Sequence, residues 1–96
     1  GCATFGNLAW NDNNKGWIYK AGGITTILFA MDNHQKNVNV QESGCGALMN
    51  LAFNNDKNKV TIAEAGGITT ILSAMKTLIF NANQHFRFGT VTKRIV

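Results

Sequence analysis

Charged residues make up only 15% of this 96-residue chain, against 45% apolar ones. That mix excludes a chain kept unfolded by its own charge, and it fits a folded protein leaner in charge than the usual quarter. No apolar run approaches the roughly 20 residues that a bilayer-spanning helix needs. No basic-then-apolar leader opens the chain, which argues against a signal peptide. The chain starts at Gly1 rather than Met and reads as a piece of a longer or processed protein. Neither Cys-x-x-Cys nor His-x-x-x-His spacing occurs, so neither a metal site nor a cofactor has support. His34 and His85 have no matching nucleophile or acid, and the acidic residues look like helix caps and solvated charge. With no catalytic pair in view, an enzyme is the least supported reading. The length allows one domain at most, with a marginal core if it stands alone.

Acid is absent from the C-terminal part. Up to Met75, Lys15, Lys20, Lys36, Lys57 and Lys59 balance Asp12, Asp32, Glu42, Asp56 and Glu64. The net charge of +4 comes entirely from Lys76, Arg87, Lys93 and Arg94. The chain is a neutral body with a basic end.

What the sequence does have is an internal repeat. Ala21-Gly22-Gly23-Ile24-Thr25-Thr26-Ile27-Leu28 returns unchanged 44 residues later as Ala65-Gly66-Gly67-Ile68-Thr69-Thr70-Ile71-Leu72. Gly1-Cys2 returns as Gly44-Cys45, and Asn7-Leu8-Ala9 as Asn50-Leu51-Ala52, both at an offset of 43. One residue is therefore gained in the loop between them. A period of this size points to a helical solenoid.

Each unit reads as three helices. The first spans Asn58 to Ala65, with Asn58 as N-cap, Ile62 facing inward and a glycine stop at Gly66-Gly67. The second spans Gly67 to about Lys76. There Ile68, Ile71, Leu72 and Met75 make one helical face, as Ile24, Ile27, Leu28 and Met31 do a unit earlier, with Thr25 and Thr26 outward. The third spans about Asn37 to Phe53, with Val40, Gly44, Cys45, Leu48, Leu51 and Ala52 on its apolar side. Gly44 and Gly46 weaken that helix, a cost that signals close approach by a neighbour.

Val40-Gln41-Glu42-Ser43-Gly44-Cys45-Gly46-Ala47-Leu48-Met49-Asn50-Leu51-Ala52, followed by Asn58-Lys59 and Ile62-Ala63-Glu64-Ala65-Gly66-Gly67-Ile68, resembles the armadillo repeat of the importin-alpha and beta-catenin class. The likeness covers residues 1 to 77: the end of one repeat, one whole repeat and the first two helices of another. Residues 78–96 are a divergent basic segment. The resemblance implies an all-α, right-handed armadillo-type solenoid whose third helices line a groove for an extended peptide or partner protein. It also implies that Asn7 and Asn50, one repeat apart, hold the peptide main chain, since an amide offers both a donor and an acceptor. The alternative is that they crosslink or cap loops. Trp10 and its counterpart Phe53 are either apolar contacts for the partner or packing against the next repeat. Ser43 completes the candidate binding set. The chain departs from the family's nuclear-signal receptors, because Ala3 and Gly46 stand where those carry tryptophan. Binding of basic nuclear signals is therefore not expected. Proline, common in the family's loops, is absent.

Cys2 and Cys45 are expected as free, buried thiols in a reducing compartment, cytoplasmic or nuclear. Gly22-Gly23 and Gly66-Gly67 are read as helix-to-helix turns rather than phosphate loops, which follow a strand and bring a lysine. Asn11, Asn13, Asn14, Asn54, Asn55 and Asn58 suit the turns they crowd. In the tail, Phe88, Val91 and Ile95 permit a short helix packed over the open end, which is the favoured reading, while Thr90-Val91-Thr92 lean toward a strand. The expected function is a non-catalytic scaffold. A basic tail that binds an acidic partner, with nucleic acid less favoured, and a purely structural role are the alternatives. With fewer than three repeats, the chain is expected to be marginal as a monomer or to self-associate through its ends.

Overall fold

The computed structural model describes the backbone of residues 1–95 and the side chains of residues 1–82. Among the described residues there are six helices and no strand: α1 (Cys2–Leu8), α2 (Asp12–Lys20), α3 (Gly23–Asn33), α4 (Val38–Ala52), α5 (Asp56–Glu64) and α6 (Gly67–Ile95). The fold is all-α. No single helix among the described residues is long and apolar enough to cross a membrane.

Asparagine starts three of the helices. Asn11 accepts hydrogen bonds from the backbone N–H groups of Asn13 and Asn14, Asn37 from Val40, and Asn55 from Asn58. Each satisfies orphan donors of the first turn. Asn58 is therefore not the cap expected from sequence; Asn55 is. Asn58 lies buried in α5, and its amide donates to Leu51 O at 2.9 Å. One unit earlier Asn14 does the same to Leu8 O at 3.1 Å. These paired asparagines fasten α2 to the end of α1 and α5 to the end of α4.

The glycine turns are as expected. Gly22 and Gly66 take φ of 75° and 83°, a left-handed conformation that glycine adopts without steric cost. The residue gained between units is Asn54, which also turns left-handed at φ 53°, as asparagine tolerates.

The core is built on α4, which packs against α1, α3, α5 and α6. Ile24, Ile27, Leu28 and Met31 of α3 meet Ala47, Leu48 and Leu51 of α4, with Ala9, Ile18, Ile62 and Ala74 around them. Gln41 is buried among them and donates to Met31 O and His34 O, closing the end of α3. Gly44 lets α4 approach α3: a Cβ there would stand 2.5 Å from Met31 Sδ. Gly46 faces open space instead, so the close approach expected at both glycines holds at Gly44 only. Cys2 and Cys45 are free but half-buried rather than fully buried.

The second unit differs from the first in two ways. The backbone of α6 stays helical to Ile95 instead of ending near Lys76. The tail is therefore helical, as favoured from the sequence, but it continues the second helix rather than forming a short one of its own, and the alternative of a strand at Thr90–Thr92 does not hold. The face that is buried in α3 is open in α6: Ile68, Leu72 and Met75 are exposed and Ile71 is half-buried. Whether Phe88, Val91 and Ile95 cover it, and where His85, Arg87, Lys93 and Arg94 point, lies outside the described side chains.

Candidate functional site

A cleft of about 440 Å³ opens where the ends of α1 and α4 meet the start of α2. Trp10 and Phe53 line it with Met49, Asn50, Asp12 and Lys15. Trp10 is 76% exposed and Phe53 and Met49 are also exposed, so these large apolar side chains face solvent in the cleft. Three of the five residues selected from sequence, Trp10, Asn50 and Phe53, thus come together. Asn7 is exposed on α1 and Ser43 half-buried on α4, and neither lines the cleft.

Asn50 has a structural tie. Its Nδ2 donates to Gly6 O at 3.0 Å, bridging α4 to α1. That leaves the Oδ1 atom, which takes no hydrogen bond among the described residues, as the group able to meet a peptide N–H.

Lys15 is the residue that sequence reasoning missed. It is buried, and its Nζ donates to Phe53 O at 2.6 Å. The same amine pairs with Asp12 at 3.2 Å and stands 5.3 Å from the centre of the Phe53 ring. The lysine therefore ties α2 to the C-terminal end of α4, where the helix dipole favours a cation, and it orients the aromatic wall of the cleft. A signal was present in the sequence: Asp12-x-x-Lys15 recurs as Asp56-x-x-Lys59. That pair forms as well, at 3.6 Å, but the Lys59 side chain is 55% exposed against 4% for Lys15.

A second groove, about 410 Å³, lies between the α3–α4 turn and α6. Lys36, Lys76, Val38, Thr77, Phe80 and Asn81 line it, and none of them is an acid. Among the described residues no group of three or more His, Cys, Asp or Glu could hold a metal ion.

No family model matches the chain, and no solved structure matches it. Protein aardvark of Dictyostelium discoideum is 50% identical over 40 residues, a stretch covering 42% of this chain and 5% of that protein. The chain thus corresponds to a small part of that relative's length.

Proposed function

We propose that the chain is part of a right-handed armadillo-type solenoid and serves as a non-catalytic scaffold that binds an extended peptide or a partner segment across α1 and α4. The observation that carries this reading is the cleft, which joins two exposed aromatic side chains to an asparagine whose amide oxygen takes no hydrogen bond among the described residues. Aromatic side chains of this kind dominate binding energy when a partner covers them. Met49 supplies an adaptable apolar wall. The Asn50 Oδ1 would register the peptide main chain, with Asn7 repeating the contact one unit away. Free Cys2 and Cys45 suit a reducing compartment, cytoplasmic or nuclear.

The test is to select extended peptides from a random display library against the chain and measure their affinity by fluorescence anisotropy. Trp10→Ala should weaken the selected peptides by about tenfold or more with an unchanged circular-dichroism spectrum, because Trp10 supports no core contact. If selection yields no peptide, or if affinity ignores Trp10, the cleft is not the site.

The lysine groove supports a second reading, in which Lys36 and Lys76 bind an acidic partner. Such binding would fall steeply with salt, whereas the aromatic cleft would hold its partner through added salt.

A further inference from the structure

A hollow of about 290 Å³ marks the open end of the stack, lined by Cys45, Leu48, Ala52, Lys59, Ile62 and Ile71. One unit earlier the equivalent residues are Cys2, Phe5, Ala9, Lys15, Ile18 and Ile27. There α4 packs on α1 and α3, Lys15 of α2 reaches Phe53 O at the end of α4, and Ala9, Lys15 and Ile27 are buried. In the hollow, Ala52 and Ile71 are half-buried and Lys59 is exposed. The adjoining face of α6 shows the same contrast: Leu72 is 54% exposed, while its counterpart Leu28 is 4% exposed. The hollow is thus a helix seat without its helix among the described residues, and it continues the α3–α4 interface.

We propose that a second copy of this chain docks there head to tail, its α1 taking on α6 and α4 the place that α4 takes on α3 and α1. The repeat specifies the contacts. Gly1 of the second copy stands in the Gly44 position and faces Met75, as Gly44 faces Met31. Leu8 of the second copy, 47% exposed where its counterpart Leu51 is 0% exposed, fills the hollow. Asn7 of the second copy donates to Met49 O, as Asn50 donates to Gly6 O. Lys59 reaches Trp10 O of the second copy, as Lys15 reaches Phe53 O, and brings a cation to the negative end of that α1. The joint is looser than the internal one. Thr4 and Met49 replace Ala47 and Gly6, which meet closely inside the chain: a Cβ added at Gly6 would stand 3.6 Å from the Ala47 Cα. The contact is heterologous, so it propagates rather than closing into a dimer. This inference rests on the internal repeat and does not depend on the peptide reading.

Sedimentation velocity of the full chain from micromolar to millimolar concentration tests it, with two variants that block one face each. Leu72→Glu spoils the α6 face, and Thr4→Glu spoils the α1 face; both positions are exposed, so both variants should fold, as circular dichroism can check. Wild type should form a series of oligomers. Each variant alone should be monomeric, with association weakened about tenfold or more. Their mixture should give one-to-one dimers, because each supplies the face that the other lacks. Three outcomes overturn the proposal. The mixture stays monomeric while wild type associates, which makes the contact symmetric; either variant alone still forms the series; or wild type is monomeric throughout. In the last case a fall in melting temperature for Leu72→Glu would show that residues 83–96 of the same chain cover the face.

Discussion

Lys15 and Lys59 hold the same position in two units and do different work. Lys15 gives a buried amine to a helix-end carbonyl and packs against an aromatic ring, whereas Lys59 makes one solvent-exposed ion pair. Lys15→Ala should lower unfolding stability by about 2 kcal/mol, the scale of a hydrogen bond to a charged group. Lys59→Ala should stay within about 0.5 kcal/mol. Urea titration of both variants checks the contrast. It was not legible beforehand, because both lysines share the same Asn-Asp-x-Asn-Lys frame and the end of α4 over Lys15 separates their roles. Asn58 was misread for a related reason. Asn54, Asn55 and Asn58 are chemically equal as caps, and which one serves is decided by the carbonyl of Leu51 waiting for an amide. Cys45 gives a pH signature. Burial pushes its thiol above the ordinary value of 9.0, so on raising pH the unfolded chain loses this proton before the folded chain does. Its contribution to stability should therefore be fully present below that ordinary value and should vanish as pH rises through the higher folded value. The stability difference between wild type and Cys45→Ala, followed by urea melts from neutral to alkaline pH, should show that fall.

Within α4, two glycines two residues apart and on different sides of the helix should respond with opposite signs. Gly46 faces open space, so Gly46→Ala should stabilise by about 0.5–1 kcal/mol through lower chain entropy and better helix propensity. Gly44 lies against Met31, so Gly44→Ala should cost about 1–3 kcal/mol from overpacking. Thermal melts of the two variants make the comparison. Helix-level features were otherwise well legible. Asn37 and Phe53 bound α4 as expected, the Gly-Gly turns are left-handed at their first residue, and the Ile24, Ile27, Leu28, Met31 face is the core. The periodicity of α6 was equally clear, yet periodicity states only that a face is apolar. Whether that face is buried depends on an element elsewhere in the chain or outside it, which is why Ile68, Leu72 and Met75 read as core and are exposed.

At the scale of the molecule, α4 is the spine, because four other helices pack on it. Its amides should be the slowest to exchange with deuterium, and those of α1 should be among the fastest, since α1 has no buried residue and is held chiefly from one side. Hydrogen exchange resolved by residue would show this order. The candidate cleft was legible in part: Trp10, Asn50 and Phe53 could be picked from the repeat, while Asp12 and Lys15 join them only through the way α2 meets the helix ends. The connector at the cleft rim carries a different kind of freedom. Asn54 takes up the extra residue of the second unit in one left-handed step, so α5 starts on the Asn55 cap as α2 starts on the Asn11 cap. The extra residue thus sits at the rim of the cleft and leaves the following helix with the same kind of start. Duplicated units built this way can diverge in what each admits, one codon at a time, while inheriting a common frame.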